Sequence, residues 1–172
     1  KFRALQGDPT LTEQELSRIS TAAPYNLDAW DGYQAEREVV LGMARQLDKN
    51  LVVLAGDTHN AWANNLKDMN GNQVGVEFAT ASVSSPGLED YLGLPDAMIA
   101  DAEQGIGLLV DGLDYLNINQ RGYMVVTFTQ DEALANWYFV DTVKSREYTV
   151  DNSRSAARKT LPGAGNRTVD PV

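Results

Sequence analysis

The chain has 172 residues, 43% hydrophobic and 22% charged, the balance of a globular domain large enough to bury a core. A net charge of -10 and a pI near 4.4 set up a field that repels phosphate backbones and anionic membranes, which argues against nucleic-acid or membrane-surface binding. There is no cysteine, so disulfides and thiolate metal sites are excluded within these residues, and no apolar run approaches the roughly 20 residues that span a bilayer.

The first residues, KFRALQGDPTLTEQ, carry neither an initiator Met nor the apolar centre of a secretion signal. Thr12 with Glu15 three positions on is a capping-box pattern, which predicts a short helix over 12–20. Residues 21–32, TAAPYNLDAWDG, read as a polar and aromatic loop. The clearest helix is 33–49, where Ala35, Val39, Val40, Met43, Ala44 and Leu47 follow helical spacing on one face. The continuous apolar run LVVLA, 51–55, predicts a central strand buried on both faces. Residues 74–83, VGVEFATASV, predict a second strand, broken by Ser84-Ser85-Pro86-Gly87.

Further on, 88–94 suits a helical turn and 95–104 a short helix with Pro95 at its start. Residues 115–129 and 134–143 predict two strands of a hairpin around QDEA. In the second of these, Trp137, Tyr138 and Phe139 put apolar side chains on both faces, as in a sheet covered on both sides. From Val150 the chain turns polar, with Gly and Pro, and reads as a tail that is either wrapped over another surface or disordered. The expected organisation is therefore a domain over 1–149 and a tail over 150–172. The order helix, strand, strand, helix, hairpin gives an α/β or α+β domain with a mixed sheet, without the repeated βαβ units of a doubly wound fold.

One stretch carries chemistry. The apolar run ends in Gly56-Asp57-Thr58-His59-Asn60, and His59 is the chain's one histidine. A turn just past the carboxyl end of a strand is where open α/β sheets place ligands. In extended backbone, side chains two apart point to the same side, so the Asp57 carboxylate and the His59 imidazole would converge on one ion. Iron, manganese, zinc and calcium accept such a mixture to different degrees, and Asn60 adds an amide close by. The bland alternative is an Asp that caps a turn beside a hydrogen-bonded structural His. A serine hydrolase would have to recruit His59 to Ser82, Ser84 or Ser85, none of which lies in a nucleophile elbow. No phosphate-cradling glycine loop is present. In DAWDGYQAER, Trp30, Asp31 and Tyr33 are either packing anchors at a helix start or an aromatic and carboxylate rim beside the site.

Taken together, DAWDGYQAER, VVLAGDTHNAWANNL, VGVEFATASVSSPG and NQRGYMVVTFTQDEALANWYFVD resemble the carboxy-terminal half of the PhoD-like alkaline phosphatases, in the calcineurin-like metallophosphoesterase superfamily. The resemblance covers most of residues 28–143. It implies a four-layer α/β/β/α sandwich with metals at the carboxyl ends of strands, and hydrolysis of phosphate monoesters and diesters. It makes Asp57 and His59 residues of the last metal-binding motif, and Trp30, Asp31 and Tyr33 part of the site's wall. It further implies iron with calcium as the metals, zinc or manganese being alternatives, and an exported, periplasmic or secreted enzyme. The family's early motifs, which supply most ligands, are not among these residues. The expected partner is therefore the missing amino-terminal half, as a separate or cleaved chain, with a small phosphate ester as substrate. An expectation of another class stands beside this one: a non-catalytic, acidic calcium-binding or interaction module that closes its own core, in which Asp28, Asp31 and Asp57 serve surface or folding roles.

Overall fold

A computed structural model describes residues 2–20 and 26–172. The first five positions of the loop expected over 21–32 lie outside the described residues. Two short helices come first, α1 (Phe2–Leu5) and α2 (Glu13–Ser20). The capping box forms as expected: the Thr12 N–H donates to Glu15 Oε2 at 2.8 Å, and the Glu15 N–H to Thr12 Oγ1 at 3.2 Å. Helix α3 (Gln34–Gln46) follows. Its expected apolar face is not the buried one: Leu41 is buried, while Val39, Val40, Met43 and Leu47 are exposed.

Strands β1 (Leu51–Ala55), β2 (Ala61–Lys67), β3 (Gln73–Ala79) and β4 (Leu113–Asn117) form a first sheet in the order β1-β3-β2-β4. β1 pairs with β3 in parallel, and β2 runs antiparallel to both β3 and β4. β1 is thus an edge strand and not the central strand that its apolar run predicts. Its side chains are half-buried, and Leu54 is 52% exposed. Between β3 and β4 come α4 (Leu88–Tyr91), a 3-10 turn (Asp96–Met98) and α5 (Ile99–Leu109).

The expected long strand over 115–129 is two strands in two sheets. Asn117 ends β4 by accepting, through Oδ1, the N–H groups of Asn119 and Gln120, and the chain crosses over at this Asx turn. β5 (Arg121–Phe128) then pairs with β6 (Ala133–Val140), which gives the expected hairpin. β7 (Ala156–Thr160) and the two-residue β8 (Asp170–Pro171) complete a second, antiparallel sheet in the order β5-β6-β7-β8. The polar segment after Val150 therefore supplies strands. It is tied to the first sheet by Asn50 Nδ2 donating to the Leu161 carbonyl at 2.7 Å and by the Val169 N–H donating to Asn65 Oδ1 at 2.9 Å.

The two sheets pack face to face. Ala61, Ala63, Val76 and Phe78 of the first meet Ala135, Trp137 and Phe139 of the second, with Val169 closing one side. Alternation along β6 sends Ala133, Ala135, Trp137 and Phe139 inward, while the opposite face is only half-buried, so this sheet is not fully covered on both sides. The Trp137 indole is wholly buried, and its Nε1 donates to the Ala79 carbonyl at 2.9 Å, joining the sheets by a polar contact as well as by burial. The result is an α+β sandwich of two four-stranded sheets.

Candidate metal-binding turn at the end of the first strand

Residues 56–60 link the carboxyl end of β1 to the start of β2. The turn is not extended. Asp57 has φ 66° and His59 φ 63°, both left-handed, with Thr58 between them. The same-side argument for extended backbone does not apply: the two side chains leave a turn in which both residues are left-handed. Asp and His are among the non-glycine residues that adopt this backbone most readily, and such residues persist where surrounding contacts hold them, as at active sites and ligand clamps.

Those contacts are present. Asn60 is buried, 5% exposed, and both ends of its amide are used within the loop structure. Nδ2 donates to the Thr58 carbonyl at 2.7 Å, and Oδ1 accepts from the Leu88 N–H at 2.9 Å. Asn60 therefore holds the turn, the supporting role among those expected for it. Gly87 lies against it: a Cβ there would stand 2.8 Å from Asn60 Oδ1 and 2.5 Å from the Ile118 carbonyl oxygen. The S-S-P-G segment thus belongs to the site. Ser82 Oγ starts its bend by accepting the Ser84 and Ser85 N–H groups at 3.2 and 2.8 Å.

His59 Nδ1 lies 2.9 Å from the Pro86 carbonyl oxygen. A carbonyl only accepts, so Nδ1 carries the proton and Nε2 keeps the lone pair that a metal takes. The Tyr91 ring, on α4, stacks beside the imidazole with centroids 6.5 Å apart. Asp57 is exposed. Together the turn presents one carboxylate and one imidazole with its tautomer set. Among the described residues no group of three or more His, Asp or Glu side chains could hold a metal. The two donors suit a hard or borderline ion, and they are too few to complete its shell.

Trp30, Asp31 and Tyr33 lie elsewhere. Trp30 and Asp31 line a groove with Gln34, Arg37, Glu38 and Met69, and Trp30 also reaches Leu51, Val53, Leu66 and Glu77. Gln34, Arg37 and Glu38 belong to α3, Met69 to the turn between β2 and β3, and the rest to the first sheet, whereas Asp57 and His59 belong to the turn between β1 and β2. Trp30 and Tyr33 are about half exposed, at 48% and 51%. Glu77, in the middle of β3, has its carboxyl pKa raised by burial, which outweighs the hydrogen bond from Asn64 and the charge of Arg37.

Pro86, Gly87 and Tyr91 are site residues that the sequence reading leaves unassigned. The one signal for them is the S-S-P-G break, which marks a tight turn without saying what packs on it.

Comparisons with known proteins fit this geometry. The profile of the PhoD-like phosphatase family matches residues 3–137. Alkaline phosphatase D of Bacillus subtilis (strain 168) is 39% identical over 74 residues, a match that covers 40% of this chain and 13% of the relative. A solved structure of PhoD superposes with a TM-score of 0.67 at 25% identity, over 86% of this chain and 27% of that one. The chain therefore spans well under a third of the length of the relatives it matches. With the matched segment running through α3, the turn at Asp57 and His59, the first sheet and β5 into β6, the chain belongs to the PhoD-like phosphatase family.

Proposed function

We propose that this chain supplies Asp57 and His59 to the metal site of a phosphoric ester hydrolase that acts on phosphate mono- or diesters. The remaining ligands and the groups that hold phosphate come from polypeptide outside these residues. The observation that carries the reading is a turn of two left-handed residues, one residue apart, that offers a carboxylate and an imidazole whose Nδ1 is bonded to the Pro86 carbonyl. Asp57 contributes an anionic oxygen donor. His59 contributes a neutral nitrogen at Nε2, its ring orientation fixed through Pro86. Asn60 keeps the two in register. Iron with calcium is the pair we favour, and zinc or manganese suits the same donors. When bound, such ions supply Lewis acidity and the positive charge that an anionic ester needs on a protein of net charge -10.

The partner is the amino-terminal part of the enzyme, as the same chain or as a cleaved chain that stays bound. Two open surfaces support this. β1 is an edge strand with no charge and no proline, and it leaves Leu54 half exposed. Natural edges are normally blunted by such residues or covered, so an unguarded apolar edge calls for a covering strand. On α3, Val39, Met43 and Leu47 repeat at helical spacing and face outward. We place the assembled enzyme outside the cytoplasm, periplasmic or secreted. No helix among the described residues is long and apolar enough to cross a membrane. A core closed between two sheets also suits the non-catalytic module, in which Asp57 and His59 would be turn residues of types that tolerate a left-handed backbone; the family and the donor types favour the hydrolase reading.

The test is His59→Ala in the assembled enzyme. Metal content should fall by about one ion, and turnover of a chromogenic phosphate monoester by about 100-fold or more, the scale of losing a ligand or its support. Unchanged metal stoichiometry by elemental analysis would contradict the ligand assignment.

A further inference from the structure

The Pro86 carbonyl fixes the His59 tautomer, and Pro86 sits on a loop of its own between β3 and α4. That loop is held at three points. The Leu88 N–H donates to Asn60, within the first sheet's turn. The Gly122 N–H, on β5, donates to the Ser82 carbonyl at 3.0 Å. Glu89, on α4, pairs with Arg121 at the start of β5, Nη2 to Oε1 at 2.5 Å. Arg121 is itself fixed by Nη1 donating to the Asn119 carbonyl at 2.9 Å.

The Glu89–Arg121 pair is unusual for a stabilising contact. The two side chains are only 15% and 10% exposed. Yet Glu89 Oε2 and Arg121 Nε are buried without a hydrogen-bond partner among the described residues. A buried ion pair gains net stability only when its remaining polar atoms are satisfied, and otherwise roughly breaks even with apolar residues of similar volume. Stability alone gives little reason for this pair. Its position does: it ties the loop that orients His59, and the helix that carries Tyr91, to the second sheet.

We propose that Glu89 and Arg121 are positioning residues for His59, acting through Pro86 to keep the imidazole in its Nδ1–H form with Nε2 free. The consequence for catalysis rests on the metal-ligand reading of His59, but the effect on the tautomer does not. Because the chain has one histidine, its imidazole nitrogens give a single set of signals. Long-range proton–nitrogen correlation spectra of the metal-free purified protein, with nitrogen-15 confined to these 172 residues, read the tautomer directly. The wild-type chain should show the Nδ1–H form. In Glu89→Leu/Arg121→Leu, which removes both charges together, the ratio of Nδ1–H to Nε2–H should fall by about tenfold, the scale on which an outer-shell partner acts on a ligand histidine. The Trp137 indole N–H signal, which reports the join between the sheets, should stay in place. An unchanged ratio with that signal retained would overturn the proposal. Should the paired variant lose the Trp137 signal, Glu89→Gln decides: a smaller shift in the same direction supports the proposal, and no shift overturns it. The readout needs neither metal nor turnover, so its failure would leave the hydrolase reading standing, and failure of that reading would leave this result intact.

Discussion

At the scale of single residues, the turn after β1 shows how much context a short motif needs. Residue type and a place after an apolar strand single out Asp57 and His59 as the donor pair we propose. Their geometry is not legible in the sequence, because a left-handed backbone at two non-glycine residues is set by what surrounds them more than by their own preferences. The surroundings come from 28 residues further on in the chain, where Leu88 meets Asn60, and from Pro86 and Gly87 beside it. Asn60 looks like a third donor in the sequence and is a clamp in the structure. Gly87 is the most exposed point of this arrangement to substitution. A Cβ would press on the Ile118 carbonyl oxygen, on Asn60 Oδ1 and on Glu89 Oε2, two of them at 2.5 Å. Gly87→Ala should therefore cost about 1–3 kcal/mol, the usual penalty for overpacking. Urea denaturation checks this, and a variant within about 0.5 kcal/mol of wild type would show that the loop relaxes freely.

At the scale of elements, the sequence shows α2 through its capping box, α3 through its spacing, β3 through its apolar run and the β5–β6 hairpin through its turn, while the helix expected over 95–104 is a 3-10 turn at Asp96–Met98 followed by α5 at Ile99–Leu109. Periodicity misses β2, whose sequence AWANNLK contains two asparagines of low strand propensity. β2 forms because Ala61 and Ala63 fit the tight space against the second sheet, and because its asparagines find partners. Asn64 donates to Glu77 at 3.1 Å, and Asn65 accepts from Val169. The turn from β2 to β3 is built on Asp68 in a similar way. Asp68 takes hydrogen bonds from the Asn72 side chain first, then from the Asn72 N–H, from Arg45 and from the Asn70 N–H, which together hold its carboxyl pKa at about 2. The unfolded carboxyl titrates near 3.9, to about half a unit. Its folded-state pKa is depressed, so the stabilisation is complete above about pH 4 and is lost as the pH falls toward about 2. Asp68→Asn should remove that dependence and flatten the acid limb of a plot of stability against pH. A limb as steep as that of wild type between about pH 2 and 4 would contradict the assignment.

At the scale of the whole molecule, class and family are legible in the sequence, while the layout of the sheets is not. An apolar run such as LVVLA has the same appearance in a central strand and in an edge strand that waits for cover. Only the strand pairing separates them, and β1 is the edge. Likewise the apolar spacing on α3 marks a face to be buried without saying by what, and within this chain Val39, Met43 and Leu47 remain uncovered. The polar carboxy-terminal segment reads as a tail because its strands are short and carry Arg and Lys. It folds into β7 and β8 because β6 offers an edge, with Arg158 paired to Asp114 across the sheets and Lys159 to Glu132 within one. The two unfilled surfaces and the two-donor turn make one claim together: that further polypeptide completes both the fold and the metal site. Native mass spectrometry of the purified protein with metals retained tests this most directly. The account predicts a mass well above 18.8 kDa that resolves into this chain, further polypeptide and bound metal, with the metal diminished in His59→Ala. A metal-free species at the mass of this chain alone, whatever metals are supplied, would contradict it.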